Sequence, residues 1–86
     1  MYEFILLTQP SCSYCNHAKE ILARLAHEYP LRVTEIDMQT EEGGRLAIKH
    51  AVIFAPGILR GGRLFSYGRL SEKKLRAQLG REDTKL

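Results

Sequence analysis

The sequence predicts an α/β fold, with a mixed four-stranded sheet in the spatial order 2-1-3-4 flanked by three helices. Strand-like apolar runs alternate with segments of helical periodicity along the chain. A strand–helix–strand crossover makes the first two strands parallel. The pair Gly61-Gly62 is a two-residue hairpin turn, which makes the last two strands antiparallel.

The first half of the chain begins with a buried central strand. Residues 2–8 are almost continuously apolar, as in strands covered on both faces. Ser11 or Cys12 is a suitable cap for the helix that follows, and Pro30 ends that helix. Its predicted buried face has the spacing of three, four and seven residues: Ala18, Ile21, Leu22, Leu25 and Tyr29.

The second strand and helix are shorter. Residues 31–36 alternate apolar and polar side chains and predict a strand. Gly43-Gly44 is unfavourable in a helix, at about 1 kcal/mol for each glycine relative to alanine. The second helix is therefore expected to begin near Arg45 and to run to about His50.

The last third of the chain predicts a hairpin and a helix. Strands are expected at 57–60 and 63–67, on either side of the Gly-Gly turn. Ser71 is the predicted cap of the last helix, with Leu75 and Leu79 on its buried side. Residues 1–80 are expected to form one domain, and residues 81–86 a frayed tail.

Composition narrows the classes of function. No apolar run reaches the length of about 18 residues that a membrane span needs, and the start of the chain has no basic segment typical of a secretory signal. We therefore expect a cytoplasmic protein, most simply a monomer without membrane contact. The formal charge of +3 is spread along the chain without a basic run, so no nucleic-acid partner is predicted. A modest attraction for anionic substrates or acidic partner surfaces is the second interpretation of that charge.

Cys12-Ser13-Tyr14-Cys15 is the most specific motif and holds both cysteines of the chain. It lies between the first predicted strand and the first predicted helix, a position typical of dithiol redox motifs. Unpaired backbone N–H groups and the positive end of the helix dipole stabilise a thiolate there. Cys12 is predicted to be the nucleophile and Cys15 the resolving thiol.

Two other interpretations of the cysteine pair stay open, a metal site and inert thiols. A structural zinc site needs four ligands, whereas a second Cys-x-x-Cys and a closely spaced histidine pair are both missing from the sequence. Haem attachment needs His directly after the second cysteine, where this chain has Asn16. No metal and no tightly bound cofactor are expected.

The chain resembles the glutaredoxin–thioredoxin family from Phe4 to about Leu79. The resemblance is carried by the Cys-x-x-Cys after the first strand, by Pro56 before the third and by the Gly-Gly hairpin. It implies a thioredoxin-like fold and a thiol–disulfide oxidoreductase. It also implies that Ala55-Pro56 is a cis peptide facing the cysteines, where the backbone of Ala55 pairs with an extended substrate.

Tyr14 between the cysteines is similar to the glutaredoxin pattern, which implies glutathione as co-substrate and disulfide-containing or glutathionylated proteins as partners. The implied glutathione-binding residues are Tyr14, Ala55, Pro56 and Ser71, the last at a helix N-terminus that suits an anion. Gln9 stands where many glutaredoxins have Lys, and their Gly-Gly-x-Asp is replaced by residues 67–71. Arg60, Arg63 or Arg69 are candidates to supply the missing charge.

Two alternatives follow from these departures. A thioredoxin-like reductant served by a flavoprotein reductase uses the same cysteines with a different electron donor. Ser13, in place of the usual Pro, resembles the dithiol glutaredoxins that hold a glutathione-bridged iron–sulfur cluster, so a cluster carrier is the non-enzymatic alternative.

Overall fold

The computed structural model describes residues 1–83, and the predicted sheet order is confirmed. The strands are β1 (Tyr2–Thr8), β2 (Leu31–Asp37), β3 (Gly57–Arg60) and β4 (Arg63–Tyr67), in the order β2-β1-β3-β4. The helices are α1 (Ser13–Leu25), α2 (Glu41–Lys49) and α3 (Glu72–Asp83). β1 is parallel to β2 and antiparallel to β3, and β3 is antiparallel to β4.

β1 is buried on both faces, as its apolar sequence predicts. Phe4 and Leu6 belong to a cluster with residues of α1 and α3, whereas Leu7 belongs to a cluster with Ala47 of α2. The alternation follows from the two-residue period of a strand. The sheet therefore separates two cores, with α1 and α3 on one side and α2 on the other.

α1 is shorter than its periodicity predicts. It ends at Leu25 rather than near Tyr29, and residues 26–28 form a hydrogen-bonded turn. The residue before a proline is disfavoured in the helical region, so the chain leaves the helix before Pro30. Tyr29 nevertheless packs against the same core, with its ring edge-on to Tyr2 at 6.0 Å between centroids.

α2 begins at Glu41, four residues before the predicted start, and includes both glycines. The side chain of Thr40 caps it by accepting a hydrogen bond from the N–H of Gly43 at 3.0 Å. Gly43 is present because the helix crosses the end of β2 closely: a Cβ at this position would lie 1.9 Å from the carbonyl oxygen of Asp37. Glycine destabilises the helix relative to alanine, but only glycine permits this close approach of the backbone.

The C-terminal helix continues past the predicted start of the tail. α3 runs to Asp83, so the expectation of a frayed chain from Arg81 is wrong for its first residues. Glu82 in the last turn forms an ion pair with Arg60 of β3 and accepts a hydrogen bond from Gln78 at 3.2 Å. Residues 84–86 of the predicted tail lie outside the described residues, and the domain boundary at residue 80 stays a prediction.

The two glycines of α2 give a matched test of this packing. Gly43→Ala is expected to lower the free energy of unfolding by about 1–3 kcal/mol, because overpacking against a rigid backbone outweighs the gain in helix propensity. Gly44→Ala is the control: its Cβ would lie 3.6 Å from the carbonyl oxygen of Met38, an ordinary contact. Urea denaturation of both variants makes the comparison, and equal stabilities would contradict this account of the close approach.

Candidate active site

The two cysteines lie at the N-terminus of α1 and are joined as a disulfide, with 5.2 Å between their Cα atoms. β1 ends at Thr8, and a short turn in which Ser11 has a φ of 55° brings the chain to Cys12. Cys12 is the cap of α1, in an extended conformation with φ −108° and ψ 104°. Of the two predicted caps, Ser11 and Cys12, the structure selects Cys12.

The sulfur of Cys12 is held by the helix backbone. It accepts a hydrogen bond from the N–H of Cys15 at 3.0 Å, the position at which a Ser or Asp cap normally accepts one. This bond satisfies one of the orphan N–H groups of the first turn. In the reduced protein the same donor favours the thiolate over the thiol, since it binds the charged sulfur more strongly.

The two cysteines differ in accessibility. Cys15 is buried, with 2% of its surface exposed, whereas Cys12 is only partly covered. Burial in an apolar environment disfavours ionisation of a thiol, and exposure is needed for attack on a substrate. The arrangement therefore suits Cys12 to the first attack and Cys15 to the second, and these roles stay a prediction.

The local charge at the pair comes from the backbone. The first turn of α1 contains no acidic side chain, and the residues beside the cysteines are neutral. Lys19, the first cationic side chain of α1, is paired with Glu35 at 3.2 Å. The helix dipole and the N–H of Cys15 are thus the main stabilising terms for a thiolate at Cys12.

The loop before β3 lies beside the cysteine turn. Leu7 near the end of β1 is opposite Gly57, the first residue of β3, so the preceding Pro56 flanks the end of β1. The Ala55-Pro56 bond is cis, as the resemblance implies. The carbonyl of Pro56 accepts the N–H of Gly68 at 2.8 Å, whereas Ala55 makes no backbone hydrogen bond within residues 1–83.

Three exposed aromatic side chains lie near the end of the sheet where β1 stops. Tyr14 in the first turn of α1 is 51% exposed, Phe54 is 49% exposed and Tyr67 is 41% exposed. The rings of Phe54 and Tyr67 meet edge to face at 5.4 Å between centroids. The sequence did not identify Phe54 and Tyr67 as site residues. The signals that could have indicated them are positional: Phe54 lies two residues before Pro56, and Tyr67 is the last residue of β4.

Ser71 lines a cavity of about 480 Å³, together with His17 of α1 and Arg69. Its hydroxyl accepts the N–H of Lys74 at 3.2 Å and so caps α3, as predicted. Of the three arginines considered from the sequence, Arg69 is the one at this cavity. Arg60 is engaged by Glu82, and Arg63 lies next to the hairpin turn, at the opposite end of the sheet.

One ion pair joins the first turn of α3 to α1, and another joins α3 to the turn after α1. Glu72 binds Arg24 at 2.7 Å and Arg76 at 3.0 Å, and Arg76 also binds Glu28 at 2.6 Å. Hydrogen bonds from the two guanidinium groups lower the pKa of Glu72, and the bond to Glu72 raises the pKa of Arg24. Since all four side chains are partly exposed, these bonds fix the placement of α3 more than they add stability.

Within residues 1–83 there is no group of three or more His, Cys, Asp or Glu side chains arranged to hold a metal ion. Over the same residues, no helix has both the length and the apolar character needed to cross a membrane.

The fold and the paired cysteines at the start of α1 define a class, the thioredoxin-fold proteins with a Cys-x-x-Cys site for thiol–disulfide redox chemistry. Within that class, the chain belongs to the family of the glutaredoxin-like domain (DUF836), which matches residues 3–80.

Known proteins of similar sequence and structure agree with this class. A probable thioredoxin of Archaeoglobus fulgidus is 27% identical over 71 residues, which cover 83% of this chain and 78% of that protein. A thioredoxin-like protein of Clostridium perfringens superposes with a TM-score of 0.77 at 16% identity, over 94% of this chain and 70% of the other. A mutant thioredoxin of Halobacterium salinarum has a TM-score of 0.68 at 21% identity, over 99% and 76%.

The hydrogen bond to the sulfur of Cys12 leads to a prediction for the reduced protein. We expect the pKa of the Cys12 thiol to lie below the value of about 8.5 for an unperturbed thiol. The rate of alkylation by iodoacetamide as a function of pH measures it, in a Cys15→Ser variant that leaves one reactive sulfur. An inflection at or above the unperturbed value would contradict activation by the helix N-terminus.

Proposed function

We propose that this protein is a glutaredoxin-like thiol–disulfide oxidoreductase that reduces protein disulfides or mixed disulfides with glutathione. The observation that carries the proposal is the asymmetry of the pair: Cys12 is accessible and capped by a backbone N–H, and Cys15 is buried behind it. One sulfur is thereby suited to attack a substrate, and the other to act only within the protein.

The proposed reaction has two exchanges. The Cys12 thiolate attacks one sulfur of the substrate disulfide, and the other substrate sulfur leaves as a thiolate that takes a proton from solvent. Cys15, after losing its proton, attacks the sulfur of Cys12 and releases the second substrate thiol. Two electrons pass to the substrate, and the pair becomes the disulfide seen in the structure. Two glutathione thiols or a reductase then restore the dithiol.

Substrate recognition is proposed at the loop before β3. Ala55 is 4% exposed and makes no backbone hydrogen bond within the described residues, and its backbone is the proposed partner of an extended peptide or of glutathione, in the manner of a short added strand. Tyr14, Phe54 and Tyr67 offer apolar contacts around that strand. The cavity at Ser71 and Arg69 offers a helix N-terminus and a cation for a carboxylate of glutathione.

A thioredoxin-type electron supply is the second candidate, and the similarity to the probable thioredoxin of Archaeoglobus fulgidus favours it. In that case a flavoprotein reductase reduces the disulfide directly, and the cavity at Ser71 has no role in turnover. An iron–sulfur cluster carrier has no support beyond Ser13. The cytoplasmic location, the monomeric state and the absence of nucleic-acid and membrane partners stay predictions.

The roles of the cysteines are tested by reduction of a small disulfide with a dithiol reductant. Cys12→Ser is expected to lower turnover to the uncatalysed background, because it removes the attacking sulfur. Cys15→Ser is expected to accumulate a mixed disulfide on Cys12, visible by mass spectrometry of the intact protein. Ser13→Ala, an exposed neighbour, is the control and should retain activity. Undiminished turnover by Cys12→Ser would refute the assignment.

The electron donor is tested with two coupled assays on the same disulfide. One supplies NADPH, glutathione and glutathione reductase; the other supplies NADPH and thioredoxin reductase. We expect turnover in the first, with an Arg69→Gln variant raising KM for glutathione but leaving reduction by dithiothreitol unchanged. Turnover in the second assay alone would remove glutathione from the proposal and leave the cysteine roles standing.

A further inference from the structure

A groove runs along the outer side of β4, between that strand and α3. β4 is the edge of the sheet, so its outer backbone groups have no partner strand among the described residues. The half of the groove at the C-terminal end of β4, on the side of the cysteine pair, has a volume of about 440 Å³. We call it the β4–α3 groove and define it by Ser66, Tyr67, Arg69, Lys74 and Arg81.

The β4–α3 groove is cationic. Arg69, Lys74 and Arg81 line it, and none of the described residues that line it is Asp or Glu. Among the side chains of residues 1–82, Arg69 and Lys74 form no ion pair. Unlike Arg69 and Lys74, six cations of the described residues are paired with carboxylates: Lys19, Arg24, Arg32, Arg45, Arg60 and Arg76. The excess positive charge is thus partly concentrated in this groove.

The backbone of β4 indicates how a ligand would be held. The pairing with β3 shifts between Ile58 and Leu59, which leaves Phe65 as the extra residue of a bulge. A bulge interrupts a straight edge and disfavours the addition of a long strand. Side chains, rather than a continuous ladder, are the recognition elements of this groove.

The groove is continuous with the candidate active site. Tyr67 lines the groove and also contacts the ring of Phe54, next to the Ala55-Pro56 bond. A polypeptide that presents a disulfide to Cys12 can therefore place a neighbouring segment in the groove. A nucleic acid fits less well, because the cations are few and cover a short distance.

We propose that the β4–α3 groove binds an acidic segment of the partner protein whose disulfide is reduced, an inference that rests on the proposed function. Carboxylates of the segment pair with Lys74 and Arg69. Complementary charges at such a surface raise the rate of encounter and select among partners more than they add affinity.

The test compares two peptides that carry the same intramolecular disulfide, flanked by glutamates in one and by glutamines in the other. The variant Lys74→Glu with Arg81→Glu reverses the charge of the groove and leaves Ser71 and Arg69 in place. Lys73→Glu with Lys49→Glu is the matched control, because both side chains are exposed, the charge change is the same, and neither lines the groove. A small uncharged disulfide reports the basal reaction in every protein.

The glutamate peptide is expected to be reduced with a kcat/KM about tenfold higher than the glutamine peptide, and the groove variant should remove that difference. Added salt should remove it as well. Equal kcat/KM values for the two peptides, or an equal loss of their difference in the control variant, would overturn the groove proposal. Turnover of the small disulfide would still support the proposed function in that case. Tighter binding of an oligonucleotide than of the glutamate peptide would also overturn it. No turnover of any disulfide would instead reject the proposed function.

Discussion

The hydrogen bond from the N–H of Cys15 to the sulfur of Cys12 connects the fold of this protein to its chemistry. The same contact caps α1 and stabilises negative charge on the sulfur, so the start of the helix and the reactive atom are one structural feature. Everything that places α1 also places this sulfur. The central strand β1, buried on both faces, fixes the point from which the cysteine turn departs.

The surroundings of the pair include both apolar and polar side chains. Tyr14, Phe54 and Tyr67 are exposed at the end of the sheet where β1 stops. Ser71 and Arg69 lie near Tyr67, just before α3, and the ion pairs Glu72–Arg24 and Arg76–Glu28 hold that helix in place.

Most of the fold could be predicted because apolar periodicity and turn residues determine it. The strands, the hairpin at Gly61-Gly62 and the caps at Cys12 and Ser71 follow from local rules that the structure obeys. The start of α2 could not be predicted, because Gly43 is selected by the approach of Asp37, a contact made only after folding. The last turn of α3 depends likewise on Arg60, which is distant in sequence from Glu82.

The candidate site was predictable for the cysteines and for Ala55-Pro56, because a short motif and a resemblance identify them. Phe54 and Tyr67 could not be identified in the same way, because neither belongs to a motif. Their proximity arises from strand pairing, which sets Tyr67 opposite Gly57. Which of the three arginines faces Ser71 also depends on packing, since all three lie near it in sequence.

The hairpin of β3 and β4 has its two ends in different situations. Gly57 and Tyr67 lie beside the cysteine turn, whereas Gly61 and Gly62 lie at the opposite end of the sheet, with positive φ and open space around them. A loop lengthened at that tip would extend into solvent without altering the pairing at the other end. The molecule thus has one end, away from the cysteine pair, where an added domain or tag can be joined and the sequence can change without disturbing the candidate site.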